Sequence, residues 1–110
     1  MGVGMMERRA VRITPRSAIT VVIENQGLPF AYGVVANISE GGACVWTNGH
    51  FEVGDRLVLR LSFARELQLF QAEGVVIWGE QETAVRYGLQ WAPVGPPSQE
   101  RLRRLISTSA

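Results

Sequence analysis

The chain has 110 residues, 46% of them hydrophobic and 19% charged, enough for one domain with its own core and too few for two. A net charge of +1 argues against a protein that coats a polyanion over a broad face. A single cysteine, Cys44, excludes a disulfide framework or a thiolate metal cluster. No apolar run approaches the ~20 residues that span a bilayer, so no membrane insertion is expected. Met1–Arg16 lacks the apolar stretch and cleavage site of a secretory leader, so the expected compartment is the cytoplasm.

Residues 1–6 read as a flexible N-terminus. Arg8, Arg9, Arg12 and Arg16 against Glu7 give residues 1–16 a charge of +3. Arg101, Arg103 and Arg104 against Glu100 give 96–110 a charge of +2, which leaves −4 for the middle. All the positive charge is arginine. Genomic codon bias is the plain explanation, yet a guanidinium is also the better fork for phosphate or a guanine edge.

The middle reads as strands. Ile19, Val21 and Ile23 alternate with Thr20, Val22 and Glu24 up to the turn-like Asn25-Gln26-Gly27. A second run, Phe30 to Ala36, stops at a polar corner, Asn37 to Gly42, and a third, Ala43 to Thr47, follows at once. After a turn at Val53-Gly54-Asp55, Leu57, Leu59, Leu61 and Phe63 share one face, with Arg56, Arg60 and Ser62 on the other. Gln68 to Trp78 is a fifth run, broken by Gly74, and Val85, Tyr87, Leu89 and Trp91 mark a sixth. Six regularly spaced strands predict an all-β fold, a closed antiparallel barrel or sandwich. Pro93 to Pro97 ends the pattern. Ser98 then caps a short C-terminal α-helix over 98–107, with Glu100 in its first turn and Leu102, Leu105 and Ile106 as a stripe against the barrel.

Two segments carry the chemistry. Arg8-Arg9-Ala10-Val11-Arg12 has the spacing R-x-x-x-R, and Asn37-Ile38-Ser39-Glu40-Gly41-Gly42 the spacing N-x-S-x-x-G. Brought together, they would make a site for a small, anionic, purine-bearing ligand. No activated nucleophile, catalytic dyad or phosphate loop is visible, so an enzyme is not expected. His50 has no second ligand at metal spacing, so no metal is expected either. Cys44 reads as a buried thiol within a strand, and Trp46 and Trp91 read as core.

Glu7-Arg8-Arg9-Ala10-Val11-Arg12-Ile13 followed by Asn37-Ile38-Ser39-Glu40-Gly41-Gly42-Ala43 resembles the paired signature of the PilZ domain family, bacterial receptors for cyclic di-GMP. The resemblance runs from about Glu7 to Ile106, through Gly88-Leu89-Gln90-Trp91 and the arginine-rich tail helix. It implies a six-stranded antiparallel β-barrel with a short C-terminal α-helix, divided into an arginine arm (7–16), a barrel (17–95) and a helix (98–107). It assigns Arg8 and Arg12 to the R-x-x-x-R positions, with Arg9 as a third fork. Asn37 would pair with a guanine edge through its amide, where many relatives carry Asp. Ser39 would bond base or phosphate while pinning the turn. Gly42 would let backbone approach the ligand, and Trp78 would stack on a guanine. Glu7 stands where many relatives that take an intercalated ligand pair carry another arginine, which argues against a two-molecule complex unless Arg9 compensates.

The implied function is a cyclic di-GMP receptor or adaptor that uses no cofactor, orders its arginine arm on the ligand and signals to a downstream effector protein. Two alternatives stand beside it. One is a PilZ-like protein-interaction module that does not bind nucleotide. The other, a small nucleic-acid-binding barrel, is disfavoured by the low net charge.

Overall fold

The computed structural model describes residues 12–25, 28–81 and 85–110. Period-two alternation builds six strands, β1 (Thr20–Asn25), β2 (Leu28–Ile38), β3 (Gly42–Thr47), β4 (Arg56–Ser62), β5 (Phe70–Gln81) and β6 (Val85–Trp91), followed by one helix, α1 (Pro96–Ser109). All pairings are antiparallel, and the strands close a barrel in the order β1-β2-β3-β6-β5-β4. Two meanders, β1–β3 and β4–β6, are therefore zipped along β3–β6 and β1–β4. Closure leaves no exposed sheet edge among the described strands.

Inward residues fill the barrel. Val21 and Ile23 meet Leu61 and Leu59 across the β1–β4 seam, and Ile19, Leu57, Val45, Val76, Tyr87 and Leu89 belong to the same buried interior. Each such aliphatic side chain contributes about 1.5–3 kcal/mol when fully buried. Leu102, Leu105 and Ile106 of α1 join the same buried cluster, as their spacing predicts.

Three local expectations are corrected. Gly74 does not break β5: it pairs with Leu57 and Trp91, and the Leu59 and Leu89 side chains close over it at 3.4 Å from where a Cβ would stand. The irregularity falls instead at a β-bulge between Val76 and Trp78, matched by another between Val35 and Asn37. The helix starts at Pro96, with Gly95 as the N-cap and proline in its first turn; Ser98 makes no cap. Proline tolerates the first helical positions because their N–H groups lack helical partners anyway. Trp46 is 39% exposed, because strand parity sends Ala43 and Val45 inward and Cys44 and Trp46 outward, whereas Trp91 is core. Among the described residues, no helix is long and apolar enough to cross a membrane.

Candidate functional site

The leader meets the polar corner through a two-residue bridge. Ile13 and Ile38 exchange both backbone bonds, Ile13 N–H to Ile38 O at 2.9 Å and Ile38 N–H to Ile13 O at 3.0 Å. This sets their neighbours side by side, and Arg12 Nη1 donates to Asn37 Oδ1 at 2.8 Å. A guanidinium only donates, so the contact turns the amide oxygen of Asn37 toward Arg12.

The corner is held by its own serine. Ser39 Oγ accepts from Gly41 N–H at 3.1 Å and Gly42 N–H at 3.3 Å, and Ser39 N–H donates to Gly42 O at 2.8 Å. With 1% exposure, this hydroxyl serves the turn. Trp91 braces the corner from the barrel, donating its Nε1–H to Ser39 O at 3.1 Å and its N–H to Gly41 O at 2.9 Å. The fold itself gives a reason for glycine at position 42. A Cβ there would collide with the carbonyl oxygen of Leu89, so the missing side chain lets β3 approach β6.

Asn37 starts a row that crosses the outer face of four strands, Asn37↔Cys44↔Gly88↔Trp78. Both bulges lie at this level, where such an irregularity re-aims side chains. The Trp78 indole lies over Gly88, occupying the space a Cβ at 88 would take. Arg12, Asn37, Cys44, Gly88 and Trp78 together line a cavity of about 120 Å³. That is smaller than a pocket that engulfs a ligand, so a nucleotide would lie across it. Cys44 faces outward yet is buried under these neighbours. Burial pushes its thiol pKa up, opposed by the positive charges of Arg86 and Arg12, with Glu80 pushing it up again.

One row along the same face, Trp46 pairs with Arg86 and Arg86 with Glu80. The Arg86 guanidinium stacks 5.1 Å from the Trp46 ring centre and 5.5 Å from that of Trp78, and its Nη2 lies 3.2 Å from Glu80 Oε1. Sequence reasoning gives no site role to Arg86, Gly88 or the outward Trp46. Alternation alone pairs Cys44 with Trp46 and Gly88 with Arg86 within their strands; only the β3–β6–β5 neighbourhood joins those pairs.

Arg8 and Arg9 lie outside the described residues. The corner also touches the helix: Glu40 accepts from Gln99 Nε2 at 3.1 Å and from Arg103 Nε at 3.2 Å. A larger cavity, about 430 Å³, lies elsewhere, between Arg16, Ser17, the Ala64–Glu66 turn and the end of α1. His50 is exposed, and no cluster among the described residues has the composition of a metal site.

Residues 7–108 match the model of the PilZ domain family. The PilZ domain of YcgR from Escherichia coli, solved with c-di-GMP, is similar in structure with a TM-score of 0.79 at 15% identity, over 93% of this chain and 90% of that one. YcgR from Escherichia coli in a longer form, also in complex with c-di-GMP, gives 0.77 at 17% identity over 92% of this chain, which spans 45% of that protein's length. The inhibitor of motility MotI from Bacillus subtilis gives 0.70 at 22% identity, over 92% of this chain and 50% of that one. A search of curated proteins finds no match. With Arg12 and Ile13 docked on the Asn37–Ile38 end of a closed six-stranded barrel, and the family model matched over residues 7–108, the chain belongs to the PilZ domain family.

Proposed function

We propose that this domain is a receptor for cyclic di-GMP that binds the messenger without turning it over, and that Arg8 and Arg9 close with Arg12 over the corner when it binds. The observation that carries this reading is the 2.8 Å contact between Arg12 and Asn37, which joins one residue from each signature segment beside Trp78. Guanidinium forks can take the O6 and N7 atoms of guanine or a phosphate, and the indole can stack on a base. Each bidentate base contact contributes about 1–3 kcal/mol, so two or three arginines supply much of the ~8 kcal/mol that micromolar binding requires. The solved complexes of YcgR with c-di-GMP lend support by fold. In this reading the arm (7–16) is the switch, because a segment that orders only on the anion changes the surface shown to an effector protein in the bacterial cytoplasm.

Calorimetry with cyclic di-GMP against GTP tests the proposal: saturable heat with the first and none with the second is expected. No heat with either ligand would favour a protein-interaction module, a reading supported by the exposed Tyr32, Val34 and Trp46 on neighbouring strands and by the likeness to an inhibitor of motility.

A further inference from the structure

We propose that Arg86 is an additional guanidinium of the dinucleotide site, and that Glu80 sets the affinity of that site by competing with a ligand phosphate for it. The inference rests on the cyclic di-GMP reading and adds two residues that neither signature segment contains.

Position comes first. Arg86 lies two residues from Gly88 along β6, and Glu80 two residues from Trp78 along β5. At the rise of an extended strand, that is roughly 7 Å from the row that begins at Asn37. A ligand stacked on Trp78 therefore comes within reach of Arg86, whose guanidinium already lies against the same indole.

Pre-organisation comes second. Held between two indoles, the guanidinium has surrendered most of its rotamer freedom before any ligand arrives, so little entropy is left to lose on contact. Its Nε is the one buried side-chain nitrogen or oxygen without a hydrogen-bond partner among the described residues. Such exceptions are rare in folded proteins and call for an explanation. Stacking between Trp46 and Trp78 provides one: the aromatic faces fix the plane of the fork at the expense of one donor.

The third observation is the competitor. Glu80 faces Arg86 across the β5–β6 ladder at 3.2 Å, with its side chain half exposed. An ion pair this open to water is weak and exchanges readily. A phosphate oxygen that reaches Arg86 must approach the negative charge of that carboxylate and compete with it for Nη2. Arg12 lines the cavity with that row and Arg86 stands two residues along β6 from Gly88, so both guanidinium charges lie near the same short row.

The test is a cycle of titrations with cyclic di-GMP on the wild type, Glu80→Gln, Arg86→Met and the double variant. Methionine keeps an unbranched stem between the indoles and removes the charge. Glu80→Gln should tighten binding about two- to fivefold, the range expected for freeing an exposed ion pair. Arg86→Met should weaken it about fivefold or more, and the gain from Glu80→Gln should vanish in the Arg86→Met background. A wild type that binds, with Glu80→Gln no tighter or equally tighter in both backgrounds, overturns this inference and leaves the receptor reading standing. A wild type that gives no heat removes both. If Arg86→Met is poorly folded by circular dichroism, the salt dependence of Glu80→Gln decides: steeper than wild type supports a freed cation, unchanged overturns it.

Discussion

Arg12 and Asn37 are 25 residues apart in sequence and share a 2.8 Å hydrogen bond, each occupying a group the other would offer to a guanine. The amide oxygen that would accept from a base edge already accepts from Arg12, so a ligand meets the two as a joined pair. Arg12→Ala and Asn37→Ala should each weaken cyclic di-GMP binding about tenfold. Because each removes the partner of the other, the double variant should lose less than the two combined, by about 0.5 kcal/mol or more in a calorimetric cycle. Strictly additive losses would mean that the pair does not act as one unit on the ligand.

Two glycines should separate folding from binding. At position 42 an added Cβ meets the Leu89 carbonyl oxygen, which is backbone and cannot move without parting β3 from β6. Gly42→Ala should therefore cost about 2 kcal/mol or more, read as a lowered thermal midpoint. At position 88 the added Cβ meets the Trp78 indole, a side chain that can swing away. Gly88→Ala should stay folded, with a stability change within about 1 kcal/mol, yet bind cyclic di-GMP more weakly and show altered tryptophan fluorescence. Equal damage to stability from both would contradict this division.

That contrast also marks what the linear sequence carries. The period of two in Ile19–Ile23 and Leu57–Leu61 is a local signal, and it is enough for the strands because burial on one face enforces it, whereas the barrel rather than a sandwich is implied by the family resemblance. The site's outer row was not legible in the same way. Asn37, Cys44, Gly88 and Trp78 belong to four strands whose adjacency follows from closure, which no local pattern encodes. Gly74 and Trp78 show the same limit in β5. A glycine looked like the break, while the bulge next to Trp78 was produced by pairing with β6. The part Ser39 plays in the turn is readable from its place in the corner, whereas the place of Gly42 in the β3–β6 ladder is not.

Ser39 yields a prediction opposite to that of a simple ligand contact. Its hydroxyl satisfies two backbone donors at a buried corner, so Ser39→Ala leaves Gly41 and Gly42 N–H without that acceptor. The expected cost is about 1–3 kcal/mol of stability, seen as a lower urea midpoint at unchanged slope. Binding should fall as a consequence of the deformed corner. A loss of affinity with an unshifted midpoint would instead show that the hydroxyl reaches the ligand directly.

Glu40 ties that corner to α1, and its charge makes the tie sensitive to acid. The Arg103 hydrogen bond holds its carboxyl below the ordinary 4.5, outweighing the upward pull of burial, with Gln99 adding a second donor. A carboxylate whose folded pKa is lowered binds fewer protons in the native state than when unfolded. Its contribution to stability is therefore complete above 4.5 and is lost as the pH falls through the lower folded value. Other carboxylates titrate over the same range, so the difference between wild type and Glu40→Gln isolates this one. Urea midpoints measured from neutrality to about pH 3 should fall less steeply in Glu40→Gln than in wild type, the two curves converging at the acid end. Parallel curves would show that the contact between corner and helix carries no charge-dependent stability. α1 would then be held by Leu102, Leu105 and Ile106 and by the hydrogen bonds of Arg101 to Gln68 O and Leu69 O.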